Sequence, residues 1–298
     1  MAWFILAFLS AIFSAFSTLA EKKSLFSLDA LDFSYIISIV TLLFSIPFFI
    51  AAPLQTGIAA SLILLFIKTI LSAGAFWCVM LSMKSLELSE ALPLLAVSPA
   101  LVAVLAFLFI GDVLRLSDWA GIFLIVAGTY VLELKKKDPG IFSPFKNIFR
   151  SVKYLYVLTA VLLFTVTSLM DRVLLKGYKL PPYTFMAYQQ LFYAVIFMAI
   201  ILAKRKSPAL PFKNLTGEIW ILILLVAVFT VIYRFTQIAA VKLAPVALVL
   251  AVKRISVLIA IILGGRLFKE SNILRRIIAA VIILAGISLL ASQASGAG

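Results

Sequence analysis

One pattern recurs ten times along the chain. A stretch of about 20 apolar residues gives way to a short polar segment, and about 20 residues is what a helix needs to cross a hydrocarbon core roughly 30 Å thick. The stretches run over residues 2–20, 33–52, 60–83, 90–110, 118–134, 154–173, 184–203, 218–241, 246–264 and 274–292. They are continuous rather than alternating, so they predict helices and not barrel strands. A helix also satisfies its own backbone N–H and C=O groups, which lipid cannot do. The first stretch has no positively charged start and no small-residue cleavage site, so it is expected to remain as a helix. Residues 293–298 are small and polar and are expected to be disordered.

The pattern contains a repeat. A shift of 158 residues places Lys84 on Lys242, Ser98 on Ser256, Asp112 on Glu270 and Ala127-Gly128 on Ala285-Gly286. A shift of 150 places Thr18-Leu19 on Ser168-Leu169 and Glu21-Lys22 on Asp171-Arg172. The extra residues fall in the longer loop at 204–217. Two five-helix units follow, residues 1–134 and 154–292, joined by a basic linker at 135–153. Five is odd, so the second unit enters the membrane upside down. Inverted repeats of this kind place a substrate site near the midplane, between the halves. The expected fold is all-α and integral to the membrane, with ten spanning helices in two inverted five-helix repeats.

Composition sharpens the picture. Apolar residues make up 64% of the chain and charged residues 13%, against about 45–50% and 25% in soluble domains. Mean hydropathy is +1.20. This excludes a soluble enzyme, a disordered chain and a disulfide scaffold. There is no histidine, and Cys78 is the single cysteine. With no Gly-x-Ser-x-Gly elbow, phosphate-binding loop or Cys/His cluster, the chain is expected to be no enzyme and to hold no metal or cofactor. The net charge of +14 sits in short loops rather than on one basic face, so no nucleic-acid partner is expected. Alternate loops hold 17 Lys and Arg on one side of the membrane and five on the other. The positive-inside rule then puts the linker in the cytoplasm and both termini outside, in a multi-pass protein of the cell membrane.

Polar groups inside the spans carry the candidate chemistry. Lys253-Arg254 reads as lying near the middle of the ninth span, where one cation costs about 2.5–3.5 kcal/mol to insert. Two together call for water or a counter-ion. Arg234 lies deep in the eighth span beside Tyr233, and Thr230, Arg234 and Gln237 share its face. Gln189 and Tyr193 form an i, i+4 pair in the seventh. Lys68, in the third, is nearer an end and within reach of the interface. These nine are the candidate substrate-binding residues. Serine and threonine stripes (Ser10, Ser14, Ser17, Thr18; Thr165, Thr167, Ser168) suit close helix packing. The acids Glu21, Glu87, Glu90, Asp112, Asp171 and Glu270 fall near span ends, which favours facilitated transport or exchange over proton coupling. Asp112 and Glu270 read as loop acids beside the helices that follow them.

The ten spans in two repeats, with Pro245, Lys253-Arg254, Phe268-Lys269-Glu270 and Ala285-Gly286, resemble the drug/metabolite transporter superfamily. The likeness is greatest to its EamA-domain branch, whose repeats carry an acid after the fourth helix and a glycine in the fifth. Those places hold Asp112 with Gly128 and Glu270 with Gly286. The Lys253-Arg254 pair also resembles that of the sugar-phosphate translocators, where such a pair contacts phosphate; its first-repeat counterparts are Leu95 and Ala96. The resemblance implies a secondary transporter, monomer or homodimer, moving a small polar, anionic metabolite by alternating access. Export of amino acids or of neutral or cationic compounds, flipping of a lipid-linked phosphate, and a non-transporting membrane role are the rival expectations.

Overall fold

The structure is a computed structural model describing residues 2–52, 59–97, 100–101, 104, 116–133, 151–205, 207–213, 215–243, 249 and 252–294. Most of the stretch 90–110, together with Ser98, Asp112, Pro245, the linker residues 135–150 and the end of the tail (residues 295–298), lies outside these. The described residues are almost entirely helical. The helices are α1 (Ala2–Ser24), α2 (Ala30–Phe44), α3 (Ile46–Ala51), α4 (Ala59–Ser85), α5 (Leu88–Leu95), α6 (Leu116–Glu133), α7 (Val152–Arg172), α8 (Pro182–Arg205), α9 (Leu210–Lys213), α10 (Gly217–Leu243), α11 (Ile255–Leu267) and α12 (Ile273–Ala294). A π-turn, Val173–Gly177, extends α7. With α2 and α3 sharing one stretch and α9 lying in a loop, each of the ten apolar stretches holds at least part of one described helix.

Five described helices are long and apolar enough to cross a membrane by themselves: α1, α4, α7 with its π-turn, α8 and α10. Their outward faces are greasy, as a lipid-facing surface must be. Ile5 of α1, Ile63 of α4, Leu162 of α7, Val195 of α8 and Ile221 of α10 are all exposed.

Two stretches are not continuous. The second breaks at Ser45 between α2 and α3, because Pro47 has no N–H to continue the ladder and disfavours helical backbone before it. Ser45 relieves the break by donating its hydroxyl to Thr41 O at 2.7 Å. In the ninth stretch, α11 begins at Ile255 with Arg254 as its N-cap. Val252 and Lys253 before it are helical and Arg254 is a turn residue, so the pair stands where the span is interrupted rather than inside one continuous helix.

The most extensive interfaces each join one repeat to the other. They are α1 against α10, α4 against α7, and α6 against α12. Exchanging the repeats turns the first pair into the second and leaves the third unchanged, as a pseudo-twofold axis requires. At the axis, Gly128 and Gly286 let α6 and α12 approach closely. A Cβ on Gly286 would lie 2.6 Å from Gly121 O, and one on Gly128 would lie 2.7 Å from the Ile283 side chain. The largest core cluster, with Phe33, Ile36, Met80, Phe197 and Ile223, fills the space between α1, α2, α4, α8 and α10.

Candidate functional site

That same five-helix group surrounds a partly open cavity of about 40 Å³, with polar and apolar side chains mixed in its wall. Its wall is formed by Glu21 of α1; Ser34, Ile37, Ser38 and Thr41 of α2; Phe76 of α4; Gln190, Tyr193 and Phe197 of α8; and Thr230, Tyr233 and Arg234 of α10. Both repeats contribute.

Arg234 is the cation of the cavity. Its guanidinium carbon stands 5.9 Å from the centre of the Tyr193 ring, and its Nε is buried without a hydrogen-bond partner. A planar cation with a free donor, flanked by phenols, suits a planar anion such as a carboxylate or phosphate. Across the cavity, Ser17 donates to the Glu21 carboxylate at 2.9 Å and stands 3.2 Å from the Thr230 hydroxyl. Ser10 donates to Tyr233 O at 2.8 Å. The hydroxyl stripe of α1 thus ties α1 to α10 beside the cavity.

The α2 hydroxyls turn back on their own helix. Ser34 donates to Ala30 O, Ser38 to Tyr35 O and Thr41 to Ile37 O, each at 2.7 Å. They need no partner across the cavity, so they line it without closing it.

The remaining candidates lie around this centre. Lys253 donates to the Gln237 side-chain oxygen, and its ammonium sits 4.8 Å from the centre of the Tyr233 ring. Tyr233 thus connects the cavity to Lys253 and Gln237. Arg254 is half-buried beside them, at the start of α11, and does not line the cavity. Gln189 is 1% exposed, with both amide atoms unpartnered. Lys68 does not snorkel. It is 3% exposed, pairs with Asp171 at 2.8 Å, and stands 5.0 Å from the centre of the Phe185 ring. The helix end that Lys68 was expected to reach is taken up by this ion pair between α4 and α7.

The EamA-like transporter model matches residues 1–134 and 151–292. The chain belongs to the EamA-like transporter family. As a member of this family it is a multi-pass membrane transporter of the drug/metabolite superfamily, built of two like halves, and not an enzyme. A solved crystal structure 16% identical to it shares the fold, with a TM-score of 0.64 over 97% of this chain and 96% of that chain. None of the curated proteins matches it. The family match does not extend to the sugar-phosphate-type reading of Lys253-Arg254.

Membership in the EamA-like family leaves the cavity's composition as this chain's own. Sequence reasoning found Tyr193, Thr230, Tyr233 and Arg234 of the wall but not Glu21, Ser34, Ser38, Thr41 or Gln190. Ser34, Ser38 and Thr41 recur at spacings of four and three on one face of α2, and that stripe was the available signal. Glu21 was discounted because it lies three residues from the end of α1.

Proposed function

We propose that this EamA-like transporter moves a small polar, anionic solute, carrying phosphate or carboxylate, by alternating access of its two repeats. The observation that carries the reading is Arg234, a half-buried arginine whose Nε is buried without a partner, in the wall of a cavity shared by both repeats. In this reading Arg234 takes the anionic group. Tyr193, Tyr233 and Thr230 donate hydrogen bonds, and Phe76 and Phe197 face the apolar part of the solute. Lys253, anchored on Gln237, adds positive potential from behind Tyr233. Arg254, Gln189 and Lys68 belong to the surrounding support.

A second reading rests on Glu21. A carboxylate in the wall suits an amine, so export of an amino-bearing or cationic compound is the competing assignment.

Thermal unfolding of the purified protein against a panel of phosphates, carboxylates and amines separates the two. A ligand at about 100 times its Kd adds about 2.7 kcal/mol of apparent stability. The anionic reading expects stabilisation by phosphates or carboxylates that disappears in Arg234→Gln and weakens in Lys253→Gln. Stabilisation by amines alone, lost in Glu21→Gln and kept in Arg234→Gln, overturns it.

A further inference from the structure

At the Lys/Arg-rich end of the bundle lies a second polar cluster, apart from the cavity. The first N–H groups of α5 have no partners within their own helix. The local candidate, Glu87 at the N-cap, makes no side-chain cap bond. The cap comes from the other repeat. Glu270, in the α11–α12 turn, accepts from Leu88 N–H at 2.6 Å and from Ser89 N–H at 2.9 Å. Glu270 was expected to sit beside its own following helix; it serves the first-repeat helix instead.

Arg276 of α12 completes the junction. It pairs with Glu87 at 2.5 Å, donates to Ser89 Oγ at 2.6 Å, and stands 3.9 Å from both Glu90 and Glu270. Ser271 N–H donates to Glu87 at 3.1 Å, and Tyr154 of α7 donates to Glu90. The turn that presents Glu270 runs through two left-handed non-glycine residues, Lys269 (φ 52°) and Asn272 (φ 54°). Asparagine accepts that backbone readily and lysine seldom does, so Lys269 is the residue held against its local preference.

The cluster adjoins the cavity through consecutive residues of α1. Glu21 faces the cavity, while Lys22 donates to Leu86 O at 2.8 Å and to Met83 O, at the end of α4. The repeat relation shows that the cluster is one-sided. At the 158-residue shift Glu270 answers to Asp112, but Glu87 and Glu90 answer to Pro245 and Leu248, and Arg276 answers to Asp118. The charge pattern that joins the repeats at this end is not encoded at the other.

We propose that Glu270 and Arg276, clasping α5 and Glu87, form an inter-repeat latch that holds the Lys/Arg-rich end shut and biases the resting transporter to that closed state. Opening this end strips α5 of its Glu270 cap and parts Arg276 from Glu87 and Ser89, so the open state is disfavoured. The proposal rests on the two-repeat transport reading, but its test needs no substrate. A single reporter thiol, Ser38→Cys on a Cys78→Ser background, is labelled with a membrane-impermeant maleimide in inside-out and right-side-out vesicles.

Glu270→Gln is expected to raise the labelling rate from the Lys/Arg-rich face about tenfold, within the usual range of coupling between two states, and to lower it from the other face. Arg276→Lys, which keeps a charge but loses the fork, is the second variant should Glu270→Gln fold poorly. Arg266→Gln, an exposed charge outside the cluster, is expected to leave labelling unchanged. Labelling of the parent from the far face that both latch variants leave unaltered overturns the latch alone. Labelling from neither face in any folded variant overturns the latch and the cavity together. An equal rise in Arg266→Gln overturns the latch in favour of a general charge effect.

Discussion

Asp171 pairs with Lys68 in a place where an unpaired ammonium would be costly. Removing one partner of a buried pair typically costs about 3–5 kcal/mol, because the other charge is left uncompensated. Asp171 is 37% exposed on its side chain and Lys68 only 4%, so water softens the loss, and Asp171→Asn is expected at the low end of that range. Replacing both, Lys68→Met with Asp171→Leu, removes the stranded charge and is expected to recover most of the thermal midpoint. Thermal unfolding in detergent checks this, and a double variant as unstable as Asp171→Asn would refute a structural pair. Arg234 was legible in the sequence because a cation deep in an apolar span has few explanations. The Lys68–Asp171 pair was not, since its partners are far apart in the chain and each reads alone as a residue near a helix end. The α2 serines were hidden for another reason: a hydroxyl bonded back to its own helix has the same sequence signature whether it packs or lines a cavity.

Among the elements, α6 and α12 test the pseudo-twofold most directly. Gly286→Leu would push a side chain into Gly121 O and the Ile125 backbone, neither of which is the flexible end of a side chain. Overpacking of this kind typically costs about 1–3 kcal/mol or more. Lower yield of monodisperse protein and a lower thermal midpoint are expected, with a similar effect for Gly128→Leu. Gly217, where an added Cβ meets nothing within 4 Å, is the control, and Gly217→Ala is expected to be neutral. Equal behaviour at all three positions would refute the close approach. The spans were legible because lipid forces long apolar helices and the chain has no cheaper way to cross. The interruptions were less so. Pro47 marks the α2–α3 break, but nothing in the hydropathy pattern marks the turn at Arg254, since the Lys253-Arg254 pair is flanked by the apolar Val252 and Ile255. Lys253, at the end of the helical residues before that turn, meets Gln237 and Tyr233 of α10, which are far from it in the pattern.

For the whole molecule, the loops that carry the latch are also the basic ones. Lys22, Lys23 and Lys84 lie at this end of α1 and α4, with Arg266, Lys269, Arg275 and Arg276 around the α11–α12 turn. Lys84 is held there by Asp29 at 2.6 Å, an exposed pair worth at most about 1 kcal/mol. Its charge therefore matters more for topology than for stability. By the positive-inside rule this end is expected to face the cytoplasm and both termini to face outward. In that orientation the proposed latch would close the cytoplasmic side, and the resting cavity would be reached from outside. The rule acts on loop cations as the chain inserts, and here it favours one end by 17 to five. Single cysteines on the Cys78→Ser background check the orientation. Lys23→Cys, exposed in the last turn of α1, is expected to react with an impermeant maleimide only in inside-out vesicles. Lys179→Cys, on the exposed turn after α7, is expected to react only in right-side-out vesicles. The reverse pattern would invert the molecule in the membrane but leave the latch in place, now closing the outer side. In the proposed reading, loop charge chooses the orientation and the one-sided cluster of Glu87, Glu90, Glu270 and Arg276 chooses which end of the resting molecule is closed, so the two are separable by experiment.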